Sequence, residues 1–540
     1  MIALAPQKAI ATLPALAESM TLRPYQARVK EKVYQTNDSL INRILVVAPT
    51  GSGKTIIFCS LIADALTKGQ RVLVVVHRDV LIKQTFEKLR RFGIDCGFIK
   101  AGWEENRDAL VQIASVQTLP RRHWWKEFKA DIIILDEAHV TAWAAVVERM
   151  MDRIYPNSTY LGFTATPWRL SKKEGMGDRF NALVAAPMPH QLMDSGYLVK
   201  PSYYALPQAD LKGVRTLAGE FAESDLAVAC DCPELVRRAV EEWLRLAEGR
   251  QTLAFTVNIS HSLHLCEAFQ IAGIPAAHID GTTPVTVRNR IYEMLAAGEI
   301  LVLTSCAALQ EGFDVPSVSA VLLCRPTKSK ALYFQQIGRG LRISPETGKT
   351  DCIVLDQAGN VRQFGFVEDL KQVSLEEGRD VSGVAPTKVC PKDEHDHLGH
   401  EGCGAILSTF EMKCRHCGYQ FPIKEKLTPI QALERRLSTE DKERFSVYRA
   451  LAKEAYERKI SPGYAAKKFK DQFGHWAPDD WGLGAVFGDG PTADNIRSYL
   501  RFVQGVAQRK GKDVGWVNLW MRREFGKGWQ QAIATVGGAA

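Results

Sequence analysis

The chain has 540 residues, 46% hydrophobic and 24% charged, and its 69 Lys and Arg outnumber its 61 Asp and Glu to give a formal charge of +8. A chain of this length exceeds one core and reads as three or four folded domains. The lack of any run of about 18 apolar residues excludes a membrane-spanning helix and predicts no membrane partner. Eight of the 12 cysteines (Cys59, Cys96, Cys230, Cys232, Cys266, Cys306, Cys324 and Cys352) are scattered through apolar segments. That is the habit of buried thiols in a reducing compartment, so a cytoplasmic protein is expected.

In chain order, residues 1–20 are mildly apolar but interrupted by Pro6 and Pro14, with no basic leader before them, and predict a flexible or loosely docked arm. Residues 44–48 (ILVVA) are a run of buried-strand type, and the segment from Thr55 (TIIFCSLIADAL) has the period of a helix packed on a sheet. Between them lies PTGSGK. Gly51 and Gly53 allow the backbone N–H groups of Thr50 to Gly53, Ser52 included, to turn inward around phosphates at a helix N-terminus. In such a loop Lys54 reaches the phosphates and the Thr55 hydroxyl holds Mg2+, so ATP and Mg2+ are the expected ligands.

Strand-like runs at 71–76, 111–115, 132–135 and 160–164 alternate with helical stretches at 80–91 and 142–154, which predicts an α/β lobe around a mostly parallel sheet. The third of these strands ends in Asp136-Glu137-Ala138-His139. A carboxylate at that strand end, Asp136, can reach Mg2+, and Glu137 is the candidate for orienting the attacking water. His139 is expected to couple this site to a second lobe. Residues 170–235 read as a looser connection with an exposed insertion. A second set of strands follows at 252–256, 276–279, 300–304, 320–323 and 352–355, and within it QQIGRGLR places Arg339 and Arg342 three apart. On one helical face the two would offer cations to a γ-phosphate held by the other lobe.

These motifs and their order resemble superfamily 2 helicases of the DEAH-box type, in which the Ala48 form of the phosphate loop is common. The resemblance implies two tandem RecA-like parallel-sheet lobes. LRPYQ (22–26) is similar to the adenine-reading motif, implying Gln26 on the base edge and Arg23 beside the ring. VVVHRDVLIKQT (74–85) and ASVQTL (114–119) resemble strand-tracking motifs, and TATP (164–167) resembles the coupling motif. LTSCAALQEGFDVP (303–316) is similar to the segment that senses ATP and nucleic acid together, which brings Gly312 and Asp314 into the expected nucleotide site. The stretch LCRPTKSKALYFQQIGRGLR followed by GKTDCIVLDQAGN is similar to the RadD type of bacterial DNA-repair ATPase, which also carries cysteine-based zinc modules after the motor. The likeness runs over about residues 20–365 and more loosely over the cysteines.

Cys390, Cys403, Cys414 and Cys417 lie within 28 residues and suit a closed structural Zn2+ site of zinc-ribbon kind. Eleven of the twelve residues between Cys390 and Cys403 form a His-rich insert, so His395, His397 or His400 could stand in for a cysteine. The C-terminal stretch holds an internal repeat, GYAAKKFKDQFGHW (463–476) and GWVNLWMRREFGKGW (515–529), each reading as an amphipathic helix stopped by glycine. From residue 424 onward 21 Lys and Arg face 14 Asp and Glu, nearly the whole net charge of the chain. Basic residues interleaved with aromatics suit a nucleic-acid grip, and a helical bundle with an aromatic core is the alternative.

The expected layout is therefore an arm (1–20), a first RecA-like lobe (21–200), a second (201–385), a zinc module (386–423) and a basic helical region (424–540). The expected function is an ATP-dependent DNA helicase or translocase of bacterial or phage DNA metabolism or repair. DNA is the expected partner, single- or double-stranded, and the C-terminal region is a possible protein-docking site. An RNA helicase and an ATP-switched nucleic-acid-binding adaptor are the alternatives.

Overall fold

The structure is a computed structural model, and it describes residues 21–530 except residues 40, 78, 141–143, 167–175, 218, 307–312, 376–384, 423–436, 489–490 and 527–528. The expected arm at 1–20 lies outside the described residues, as do Gly312, Pro167 and part of the expected insertion. The chain divides into two compact units, Met1–Phe421 and Pro422–Ala540.

The first unit holds two parallel sheets. The first is built from β1 (Arg43–Val47), β2 (Val72–Val76), β3 (Gly97–Ile99), β4 (Val111–Ser115), β5 (Ile132–Asp136), β6 (Thr159–Thr164) and β7 (Ala182–Ala185), in the order β3-β4-β2-β5-β6-β1-β7. Both faces are covered, which the sequence records as unbroken apolar runs. Ile44 and Val46, with Val72, Val74 and Val76, enter one core, while Leu45 and Val47, with Leu73 and Val75, enter the other. The period of two along each strand thus divides one run between two helical layers.

The second sheet contains β8 (Lys200–Ala205), β11 (Thr252–Phe255), β12 (Ala276–His278), β13 (Val302–Ser305), β14 (Ala320–Leu323) and β15 (Asp351–Asp356); β9 (Thr216–Leu217) and β10 (Glu220–Phe221) form a separate small ribbon. The order is β12-β13-β11-β14-β15-β8, all parallel. The same division recurs: Leu253, Phe255, Val321 and Leu323 face one core, and Ala254, Ala320 and Leu322 the other. The stretch at 170–235, expected to be a loose connection, contributes an edge strand to each sheet, β7 to the first and β8 to the second.

After the second sheet, β16 (Thr387–Val389) and β17 (Ile406–Ser408) pair as an antiparallel hairpin. It docks on edge strand β8: Ala205 N donates to Gly404 O at 3.0 Å, and Tyr204 bridges Ala405.

The second unit consists of helical hairpins. Helix Thr439–Glu457 packs on Gly463–Phe473, and Ala493–Lys510 packs on Val514–Phe525. Both repeat segments are the second helix of a hairpin, and both stop at a glycine of positive φ, Gly474 at 80° and Gly526 at 78°. Equivalent positions are buried, Ala465 with Val517 and Phe469 with Met521. Most aromatics of the region serve as core: Phe445, Tyr448, Phe469 and Trp481 cluster in one half, and Tyr499 and Trp529 in the other. Trp529→Ala is therefore expected to lower thermal stability, on the scale of about 3 kcal/mol for a buried aromatic, as read by the melting profile.

Glu524 is buried in this unit, its carboxylate accepting from Val486 N at 2.9 Å and Phe487 N at 3.1 Å. Burial pushes its carboxyl up to about 7 against the pull of those two bonds. Because the folded value is raised, the stability contribution is fully present below the ordinary carboxylate range and is lost as pH rises through about 7. The melting temperature should fall between pH 5 and 8, and Glu524→Gln should flatten that fall.

Candidate active site

The phosphate loop is what β1 becomes at its carboxyl end. Ala48 N still donates to Thr164 O of β6, then the chain turns through Gly51 at φ 87° and Gly53 at φ 79°, and Lys54 opens the helix Lys54–Thr67. Both angles are left-handed and favour glycine. A Cβ on Gly53 would also lie 2.6 Å from Gln26 Nε2. Buried Ser52 is braced through its carbonyl, which accepts from Tyr25 OH at 2.6 Å and Gln26 Nε2 at 3.0 Å. The Gln26 side chain also accepts from Arg23 N at 2.9 Å, and the Arg23 guanidinium lies 5.0 Å from the Tyr197 ring centre. Here, then, the Gln26 amide holds the loop's backbone.

Two strands away, β5 delivers Asp136 and Glu137. Lys54 Nζ lies 2.9 Å from Glu137 Oε1, with both side chains largely buried. Glu137 is one of the few described non-glycine residues with positive φ, 51°, a strained conformation of the sort that gathers at functional sites. Its N–H is held by Asp136 Oδ1 at 3.0 Å. The two carboxyls differ electrostatically. Burial, and after it the charge of Glu137, raise Asp136. Glu137 is raised by burial too, but the charge of Lys54 more than offsets this and holds it low, so it stays ionised. A buried carboxylate at a strand end, with a hydroxyl at Thr55, offers oxygen donors of the hard kind that Mg2+ takes.

His139 carries the site across to the second sheet. The Thr164 hydroxyl donates to Thr166 O at 2.8 Å, so it accepts from His139 Nδ1–H at 2.9 Å. That leaves His139 Nε2 to accept from Gln335 Nε2 at 3.4 Å. Gln335 belongs to the helix Lys330–Gly340 that follows β14. On the same helix Gly338 abuts the phosphate loop, where an added Cβ would lie 2.4 Å from Thr50 Cβ. Gly338→Ala should therefore push the two sheets apart at the loop, and a rise in the KM for ATP is the expected readout.

Arg339 is buried and donates to Phe313 O at 3.0 Å. The two arginines were expected on one helical face, but the helix stops at Gly340 and Arg342 lies beyond it, bridged to Leu198. Gly340 is pressed against Cys352 and Val321 at that point, and the chain leaves the helix to make an isolated antiparallel bridge to Leu198, two residues before β8. The guanidinium groups still converge, because Arg342 also donates to Phe313 O, at 3.1 Å, and to Asp314 Oδ1 at 2.7 Å. Asp314, expected to meet nucleotide, is thus an arginine partner here. Gly312 lies outside the described residues.

Sequence reasoning missed Tyr25, Leu198 and Phe313. Tyr25 lies beside Gln26, and its phenol is the second brace on Ser52. Phe313 matters through its carbonyl, which no residue pattern records.

The four cysteines form a second centre. Cys390, Cys403, Cys414 and Cys417 place their sulfurs within 4.8 Å of one another, with Cys390 to Cys417 at 3.6 Å and Cys403 to Cys414 at 3.7 Å. Sulfurs about 2.3 Å from a shared tetrahedral ion would lie roughly 3.8 Å apart, so the set fits such an ion. Gly404 and Gly418, left-handed at φ 81° and 84°, follow a cysteine in each half. Among the described residues no histidine joins the cluster; His400 instead contacts Asp396 at 3.1 Å.

Residues 19–169 match the family described as type III restriction enzyme, res subunit, and residues 235–344 match the helicase conserved C-terminal domain. A 51.5 kDa protein of a Lactococcus phage is 28% identical over 409 residues, 74% of this chain and 83% of its own length. IRC3, a candidate ATP-dependent helicase of Saccharomyces cerevisiae, is 29% identical over 63% of this chain, which spans 51% of that protein. The DNA 3'-5' helicase XPB of Kineococcus radiotolerans is 24% identical over 61% of this chain and 59% of its own.

Proposed function

Taking the chain as a superfamily 2 helicase, a res-subunit-type lobe followed by a helicase C-terminal lobe, we propose that it is an ATP-dependent DNA translocase or helicase of the RadD kind, acting in bacterial or phage DNA metabolism. The observation that carries the reading is the continuous line Lys54–Glu137–His139–Gln335, which joins the phosphate loop of one sheet to a helix of the other. A change at the loop therefore has a physical route to the second lobe.

In the proposed mechanism, Lys54 exchanges Glu137 for the γ-phosphate of ATP, at a loop whose N–H groups and helix dipole favour anions. Glu137, released from Lys54, orients the attacking water. Asp136 and Thr55 would hold Mg2+, which neutralises charge on the phosphates when bound. Arg339 and Arg342 approach from the other lobe to stabilise the charge of the transferring phosphoryl group. The change in Glu137 alters the pull on His139, and through Gln335 shifts one lobe against the other. The four-cysteine module is read as a structural Zn2+ site that braces the edge of the second sheet. DNA is preferred over RNA because the XPB relative is a DNA helicase by name. No helix among the described residues is long and apolar enough to cross a membrane.

Displacement of a labelled strand from partial duplexes tests the reading. ATP-dependent displacement or streptavidin removal from DNA, absent with a non-hydrolysable analogue, is the expected result, and neither activity on any DNA would contradict it. The C-terminal unit is read as part of the grip. Truncation after Pro422 should weaken DNA binding and flatten its salt dependence, because fewer counterions are released, while basal ATP turnover survives. Binding isotherms at several salt concentrations check this.

A further inference from the structure

The two hairpins of the C-terminal unit repeat one another, and the tryptophans that follow the paired stop glycines have different fates. In the second copy, Trp529, three residues after Gly526, is 8% exposed and belongs to the core. In the first, Trp476, two residues after Gly474, is 59% exposed. The difference has a packing cause: Trp481 fills the first core, with its ring 5.4 Å from Phe445 and 5.6 Å from Phe469. Trp476 is thereby left outside. Among the described residues of this unit it is the only exposed Phe, Tyr or Trp.

Lys470 Nζ sits 4.5 Å from the Trp476 ring centre, over one face, and Lys467 and Lys468 are exposed on the same helix. Of the acids close in sequence, Asp479 pairs with Arg523, while Asp471 and Asp480 are exposed. A large apolar ring in water, beside lysines and on the unit that supplies most of the chain's positive charge, suits a planar aromatic group attached to an anion. A base with its phosphate meets that description. Duplex DNA does not, because its base faces are already stacked.

We propose that Trp476 is a stacking platform for one base of single-stranded DNA, with Lys467, Lys468 and Lys470 serving the adjoining phosphates. The assignment rests on the reading of the chain as a DNA motor, yet it concerns binding alone and requires no turnover. Equilibrium binding of a fluorescent oligothymidylate and of a duplex of equal length, to the full chain without nucleotide, tests it. Trp476→Ala should weaken the single strand by about 5- to 100-fold, leave duplex binding unchanged and leave the melting profile unchanged, since the ring lies outside the core. Trp476→Phe should recover most of the loss. Replacing all three lysines by glutamine should reduce the single-strand salt slope by about 2, whereas Trp476→Ala should not alter that slope. Unchanged oligothymidylate binding by Trp476→Ala, or an equal loss on both DNAs, overturns the proposal. If no DNA stimulates ATP turnover but Trp476→Ala still loses oligothymidylate, the motor reading fails and the platform stands.

Discussion

Arg339→Ala is expected to reduce nucleic-acid-stimulated ATP turnover by about 10³- to 10⁵-fold, the range an arginine supplied across a cleft contributes to phosphoryl transfer. The side chain is buried, is held by Phe313 O at 3.0 Å, and lies close enough to Glu137 to help keep it ionised. Its loss removes a cation from the site and leaves the carbonyl without that donor, so KM should move less than kcat. Glu137→Gln belongs with it. The amide can still sit beside Lys54, so ATP should bind, but it cannot act as a base toward water and turnover should collapse. Measuring kcat together with nucleotide affinity separates the two effects. Near-normal stimulated turnover in Glu137→Gln would remove Glu137 from its assigned role.

Cys414→Ser or Cys417→Ser should release the bound metal and unfold the segment around 387–421. The hairpin β16–β17 is short, and its buried core is little more than Cys390, Ala405, Leu407, Cys414 and Tyr419. A core of that size does not hold its own fold, and structural zinc contributes on the order of 10 kcal/mol to such modules. Elemental analysis should give about one zinc per wild-type chain and much less in either variant. Because the module docks on the carboxyl end of edge strand β8, at Tyr204 and Ala205, and contributes no residue to the ATP site, basal ATP turnover should change less than zinc content. Protein purified without chelators and free of zinc would refute the metal assignment.

The parts of the fold legible in the sequence are those whose residues answer to a single constraint. β1, β2 and β5 are read from apolar runs because both faces of a parallel sheet are covered. β7 and β8 escape because edge strands are shorter or mixed: Lys200–Ala205 carries a proline and only two fully buried positions, Pro201 and Tyr203. At the site, Gly51, Gly53, Lys54, Asp136 and Glu137 stand in recognisable spacing because backbone conformation and charge leave few alternatives there. The brace of Tyr25 and Gln26 on Ser52, and the meeting of Arg339 and Arg342 at Phe313 O, depend on chain closure over long separations and leave no local pattern. The C-terminal aromatics show the same limit. Their spacing marks helices, but whether Trp476 or Trp481 fills the core depends on packing that periodicity does not encode.

The central claim is that ATP hydrolysis between the two lobes is coupled to DNA. Steady-state ATP turnover of the wild-type chain, measured without nucleic acid and with single-stranded DNA, duplex DNA and RNA of equal length, tests it most directly when Lys54→Ala is run alongside. Turnover that DNA stimulates well beyond RNA, and that Lys54→Ala abolishes, is the expected result. Turnover no higher than that of Lys54→Ala with every nucleic acid, or stimulation by RNA alone, would contradict it.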